Sequence, residues 1–251
     1  MTHERDVQRA ADLLRAANHV VALTGAGMST PSGLPDFRSP HSGLWEKDDP
    51  MVVASIYGFR VNPRAFYDWL RPLVMTMRQA QPNPAHLALA RLERAGQLAA
   101  IITQNIDGLH QSAGSQRVLE LHGSMRTASC TRCGRGISGE QLAARLLQSE
   151  DVPRCEKCGG ILKPDVVLFG ELLPQWVLLE AQGEAEKCDV MLVVGSSLTV
   201  TPAADLPFTA RQHGAEIIIV NAQPTYMDAH SAVVIHDDLA TVVPQIVDLA
   251  M

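Results

Sequence analysis

The chain is short of positive charge. Against 27 aspartates and glutamates stand 21 lysines and arginines, a formal net charge of −6 over 251 residues. Binding a phosphate backbone depends on neutralisation by Lys and Arg, which argues against nucleic acid as the main partner and leaves a basic peptide compatible. No apolar run approaches the roughly 20 residues that cross a bilayer, so no membrane association is expected. The first residues carry Glu4, Asp6 and Asp12 in place of an apolar signal core. A cytoplasmic location is therefore expected. Cysteine is scarce as well: there are five, four of them in two close pairs, a pattern unlike a disulfide framework. There is no internal repeat and no low-complexity segment. Nothing in the sequence sets the oligomeric state, and a monomer is the working expectation.

What is present is an alternation of short apolar runs with helical patterns. Val20-Val21-Ala22-Leu23, Ala99-Ala100-Ile101-Ile102, Val118-Leu119-Glu120-Leu121, Val190–Val194, Ile217–Val220 and Val233–Ile235 read as strands. Between them lie helices near 4–17, from Asn83 and Pro84 to Gly96, from about Pro174, from Thr201-Pro202 to Gly214, and at the C-terminus. Such alternation predicts a parallel, doubly wound α/β sheet. Residues 40–80 show no strand alternation. Their apolar and aromatic residues, including Phe66, Tyr67, Trp69, Leu70 and Leu73, read as short helices forming a small core or the wall of an apolar channel.

In such sheets ligands bind beyond the carboxyl ends of the strands, and those ends are polar here. The first strand runs into Thr24-Gly25-Ala26-Gly27-Met28-Ser29-Thr30, a turn that lets backbone amides approach a phosphate. It lacks the third glycine of the dinucleotide fingerprint, since Thr30 stands there, and no acid ends a second strand about 20 residues on. A plain tight turn fits it, and so does a nucleotide site roofed by Ser32–Arg38. Gln104-Asn105-Ile106-Asp107 follows the second strand and reads equally as a capping loop or a chemical one. His122-Gly123 ends the third, where a histidine either completes a structural hydrogen bond or converges with Asn105 and Asp107.

The sharpest signal is Cys130-x2-Cys133 followed by Cys155-x2-Cys158, each pair trailed by glycine. Four thiolates so spaced predict a zinc site, and a filled tetrahedral shell makes the metal structural. Cys188 stands alone before a strand and reads as a small core residue.

Taken in order, these motifs resemble the sirtuins, NAD-dependent protein lysine deacylases. The resemblance rests on Gly25-Ala26-Gly27-x-Ser29, Ser32–Arg38, Thr103–Asp107, His122-Gly123, the cysteine pairs, Phe169-Gly170-Glu171, Gly195-Ser196-Ser197 and Asn221. It implies a single catalytic domain over 1–251. A Rossmann-like large domain would span 1–39, 81–125 and 165–251, and a small domain would combine a helical module, 40–80, with a zinc ribbon, 126–164. It implies NAD as co-substrate, one structural zinc ion, and acetyl-lysine proteins or peptides as substrates. His122 would be the general base, with Asn105 and Asp107 beside it in catalysis. Gln104, Asn105, Ile106 and Asp107 would wall the nicotinamide-ribose pocket. Gly25, Ala26, Gly27, Ser29, Thr30, Asp36, Phe37 and Arg38 would hold and cover the cofactor. Gly195, Ser196, Ser197, Asn221, Ala222 and Asp238 would take its adenosine half. Val166, Val167, Leu168, Phe169, Gly170 and Glu171 would pair with the substrate peptide as an added strand. Members that prefer acidic acyl groups carry Tyr and Arg three residues apart in the helical module. Here Leu70 stands three after Tyr67, with Arg71 one later, which favours neutral acyl groups.

Overall fold

A computed structural model describes residues 2–37, 43–46 and 48–251. Helix α1 (Thr2–Ala16) leads to strand β1 (Val20–Thr24). Short helices α2 (Pro50–Val53) and α3 (Ile56–Val61) precede the long α4 (Pro63–Gln79). Then come α5 (Pro84–Arg94), β2 (Leu98–Thr103), α6 (Leu109–Ser112) and β3 (Val118–Glu120). A ribbon follows: β4 (Gly123–Cys130), β5 (Gly136–Ser138), α7 (Gly139–Gln148) and β6 (Leu162–Val166). The chain ends with α8 (Gln175–Lys187), β7 (Val190–Val194), α9 (Leu206–Gln212), β8 (Glu216–Val220), β9 (Val233–Ile235) and α10 (Leu239–Ala250).

Six parallel strands lie in the order β3-β2-β1-β7-β8-β9. This is the Rossmann order, with its reversal between β1 and β7. Helices cover both faces, and β1 and β7 are buried along their whole length, which is why they read as unbroken apolar runs. Side chains alternate across the sheet. Val20 and Ala22 enter the core under α1, α5 and α10, while Val21 and Leu23 enter the opposite core under α8 and α9. Helix α5 starts where Asn83 and Pro84 predict. The Asn83 side chain accepts the amides of Ala85 (3.0 Å) and His86 (3.4 Å), and Pro84 sits at the first helical position.

Two segments far apart in sequence build a third core. Phe59, Phe66, Tyr67, Leu70 and Val74 from α3 and α4 pack with Ala128, Leu142, Leu146, Leu162 and Val166 of the ribbon. The ribbon is a three-stranded antiparallel sheet in the order β5-β4-β6.

The strand ends are level. Thr24 pairs in register with Thr103 on one side and Val194 on the other. The next residue of each strand then bonds back to its neighbour's last carbonyl: Gln104 N to Thr24 O (3.0 Å), Gly25 N to Val194 O (3.2 Å) and Gly195 N to Val220 O (3.0 Å). At the switch point the backbones close to contact. Gly27 N donates to Gly195 O at 2.9 Å, and a Cβ on Gly195, whose φ is +60°, would stand 2.2 Å from Met28 N. Gly214 also has positive φ, with open space around it. We expect Gly214→Ala to cost about 1–2 kcal/mol in urea unfolding, the strain of a left-handed residue. Gly195→Ala should cost more than about 4 kcal/mol because the backbone must move as well; equal costs would contradict this packing.

Candidate functional site

A cavity of about 780 Å³ opens over the carboxyl edge of β2, β1 and β7, beneath the helical module. It brings together residues from widely separated stretches of chain. Gly25, Ala26, Gly27, Ser29, Thr30, Asp36 and Phe37 border it from the first turn, and Gln104, Asn105, Ile106 and Asp107 from the second. His122 and Val166–Glu171 close the ribbon side, and Gly195, Ser196, Ser197, Asn221, Ala222 and Asp238 form the far end. Arg38 lies outside the described residues.

After Gly25 the chain makes a 3₁₀ turn (Ala26–Ser32) in place of a long helix, as Pro31 requires. The turn aims Ser29 at the loop after β2. Ser29 Oγ donates to Asp107 Oδ2 at 2.7 Å, and Asn105 Nδ2 donates to Ser29 Oγ (3.1 Å) and to Gly25 O (3.0 Å). Asp107 Oδ1 accepts the Leu109 amide at 2.9 Å. Burial raises the Asp107 carboxyl above the usual carboxylate range, Glu120 adds to the rise, and the bonds from Leu109 and Ser29 offset part of it. Gln104 Nε2 donates to Ser196 Oγ at 2.9 Å, tying the two strand ends across the crevice. Asp238 caps α10 by accepting the Ala240 amide (3.0 Å), and Asn221 Nδ2 donates to Gln223 O (2.6 Å).

His122 occupies the two-residue corner between β3 and β4. Its Nδ1 lies 3.0 Å from Gln104 O. A carbonyl only accepts, so Nδ1 carries a proton. The His122 carbonyl accepts the Val167 amide at 2.8 Å, so the histidine is braced from both sides.

The segment after β6 is pinned on its other flank too. Phe169 N donates to Ala54 O and Ile56 N to Phe169 O, both at 2.9 Å, while Leu168 N donates to the Glu171 carboxylate. Among the described residues, the Val167 carbonyl and the Gly170 amide keep no hydrogen bond.

Helix α4 supplies an apolar wall: Phe66, Trp69, Leu70 and Leu73, which the sequence marks only as a loose cluster, and Met77, which it does not mark. Their spacing of three and four is one helical face, a legible signal. Trp45, absent from the sequence reading, stacks between Phe37 (5.1 Å) and Trp69 (5.7 Å) and meets Phe169 edge-on at 6.0 Å. Tyr67 and Arg71 turn elsewhere. Tyr67 is fully buried with its hydroxyl on Leu162 O, and Arg71 donates to Leu146 O and Ser149 O.

On the ribbon the four cysteine sulfurs of Cys130, Cys133, Cys155 and Cys158 all lie within 4.8 Å of one another. The Cys130–Cys158 and Cys133–Cys155 separations are 3.5 and 3.8 Å. Tetrahedral zinc with thiolates at 2.3 Å needs sulfurs about 3.8 Å apart, so the set fits one structural metal ion with no open position. Gly134 and Gly159 turn each pair at positive φ, and a Cβ on Gly160 would press to 2.8 Å from the Cys130 sulfur.

A model of the Sir2 family matches residues 25–202. The chain is 50% identical over 249 residues to NAD-dependent protein deacylase 2 of Archaeoglobus fulgidus, covering 98% of this chain and 96% of the relative. A solved Sir2 complex of a deacetylated p53 peptide and 3′-O-acetyl ADP-ribose superposes with a TM-score of 0.91 at 40% identity, over 96% and 97% of the two chains. Sir2Af2 bound to a myristoylated histone peptide superposes with a TM-score of 0.84 at 45% identity, over 98% and 97%.

Metal analysis of the purified protein should return one zinc per chain. Cys133→Ser should release it and lower the melting temperature by at least about 5 °C, matching a loss of about 2 kcal/mol or more. A folded native chain without zinc would contradict the site.

Proposed function

This chain belongs to the Sir2 family, and on that premise we propose how its own residues carry out NAD-dependent deacetylation of protein lysines. The enzyme cleaves NAD to nicotinamide and transfers the acetyl group from a lysine side chain to ADP-ribose. NAD supplies the electrophile, the ribose carbon that loses nicotinamide and is taken by the acetyl oxygen. The chain's residues bind, orient and move protons around that exchange.

His122 is the general base, and its contact with Gln104 O is the observation that carries this reading. The bond from Nδ1–H to a carbonyl orients the ring so that Nε2 can take a proton from a ribose hydroxyl, a task suited to an imidazole. Asn105 and Asp107 belong to the nicotinamide-ribose wall with Gln104 and Ile106. Their mutual bonds through Ser29 support a pre-set arrangement, which costs no reorganisation during reaction. Gly25, Gly27 and Gly195 present bare backbone, which admits a pyrophosphate closely. Ala26, Thr30, Asp36, Phe37 and Arg38 would cover the cofactor, and Ser196, Ser197, Asn221, Ala222 and Asp238 would hold the adenosine half. The unspent Val167 carbonyl and Gly170 amide support addition of the substrate peptide along Val166–Glu171 as a strand.

The acyl group is neutral. Tyr67 and Arg71, the pair suited to a carboxylate, are spent on ribbon carbonyls, and an acidic group against the α4 wall would be buried unpaired. The same wall favours a second activity on longer neutral chains, since Phe66, Trp69, Leu70, Leu73 and Met77 line it without a charge. We further propose a cytoplasmic enzyme, because thiolate ligands persist in a reducing compartment. It would act as a monomer without direct contact to nucleic acid, in keeping with its net charge of −6.

His122→Ala should lower kcat by roughly 10²–10⁴-fold, the usual worth of a general base, with NAD binding retained; near-normal turnover in that variant would remove His122 from this role. Across acetyl-, succinyl- and myristoyl-lysine peptides of one sequence, the succinyl peptide should turn over slowest. A succinyl preference would overturn the acyl assignment.

A further inference from the structure

Two histidines that no step above uses are buried together behind the Gln104–Asp107 loop. His86, in the first turn of α5, and His110, on α6, are 0% and 1% exposed, with ring centroids 4.8 Å apart. His86 Nε2 and His110 Nδ1 have no hydrogen-bond partner among the described residues. Buried polar atoms rarely go unmatched, and ordered water commonly completes them.

The other ring nitrogens set the tautomers. Asn83 N–H donates to His86 Nδ1 at 3.4 Å, so that atom holds the lone pair and the neutral ring carries its proton on Nε2. His110 Nε2 is 2.9 Å from Thr24 Oγ1, which donates to Thr103 Oγ1 at 2.8 Å. A hydroxyl has one hydrogen, so Thr24 accepts from His110 Nε2–H and His110 Nδ1 keeps its lone pair. One orphan is therefore a donor and the other an acceptor, in adjacent rings. That is the complement a single water needs. Burial keeps both rings neutral, holding His86 down to about 4 and His110 to about 3, where His86 adds to the effect.

The far end of this chain is the nicotinamide wall. Thr103 Oγ1 also accepts the Asn105 amide at 3.0 Å. We propose that His86 and His110 are positioning residues: a neutral pair joined by one buried water, donating in a single direction from Asn83 to Thr103 and so fixing the backbone of Asn105. Every donor in the sequence Asn83, His86, water, His110, Thr24, Thr103 points the same way, and bonds so aligned strengthen one another. Were His110 to carry its proton on Nδ1, Thr24 would turn its hydrogen to the ring and Thr103 would lose that bond.

The role rests on the deacetylase reading, but the tautomers do not. Two-bond ¹H–¹⁵N spectra of the full chain, assigned through the ring carbons, should show both rings as neutral Nε2–H forms. They should stay so from about pH 5.5 to about pH 8.5, the range in which an ordinary histidine titrates. An Nδ1–H form or a titrating ring at either position overturns the proposal, whatever the activity. In the kinetic arm, Thr24→Val and His110→Phe should each raise the KM for NAD about tenfold, the scale of one lost hydrogen bond, with kcat moving less. The double variant should be no worse than either single one, because both cut the same chain. Unchanged KM values, or a double variant with the product of both losses, would sink it. Should a variant fail to fold, the wild-type tautomers decide.

Discussion

The structure depends on a contact that contains no side chain. Where the strand order reverses, the backbone of Gly195 meets that of Gly27 and Met28, and Gly27 N bonds to Gly195 O at 2.9 Å. Only glycine allows strands β1 and β7 to end this close, since a Cβ on Gly25 would meet Gly195 O at 2.8 Å and one on Gly27 at 2.9 Å. The level ends that follow place Gln104, Gly25, Gly195 and Asn221 along one crevice. Bare backbone at its centre is what a pyrophosphate needs, and polar side chains at its flanks are what a ribose needs.

The second constraint is the corner at His122. Strand β3 belongs to the large sheet and β4 to the ribbon, so the histidine sits where one half of the molecule becomes the other. Its ring is held by Gln104 from the large sheet, and its carbonyl by Val167 from the segment that leaves the ribbon. A histidine so placed shares its geometry with both the Gln104–Asp107 loop and the Val166–Glu171 segment. The cysteines act at a distance. By closing the ribbon turns they support the core that Tyr67 and Arg71 join to α4, and α4 in turn supplies the apolar wall of the cavity.

Much of this was legible in the residues. Buried parallel strands leave unbroken apolar runs, Asn83-Pro84 marks a helix start by its capping chemistry, and paired cysteines announce a metal. Tetrathiolate spacing is local, and so is readable without a fold. What sequence reading missed is long-range or two-sided. Trp45 sits in a stretch with no periodicity, and its stacking on Phe37 and Trp69 joins rings that are distant in sequence. Thr24 and Thr103 look like ordinary strand ends, and their bond to each other needs the β1–β2 register. His86 and His110 are 24 positions apart on different helices, with nothing local to couple them. Tyr67 and Arg71 have near-suitable spacing for an acidic acyl group, yet packing turns both toward the ribbon. The face of α4 carries a true helical period, blurred by exposed Met75 and by Pro72 within the helix.

Acyl transfer to ADP-ribose differs in its products from simple NAD cleavage and from ADP-ribosylation of a protein. Mass spectrometry of an acetyl-lysine peptide incubated with the enzyme, with and without NAD, separates these outcomes directly. Only the NAD sample should yield deacetylated peptide, nicotinamide and acetyl-ADP-ribose, in equal amounts. Peptide or enzyme carrying covalent ADP-ribose with the acetyl group intact, or deacetylation without NAD, would contradict acyl transfer to ADP-ribose.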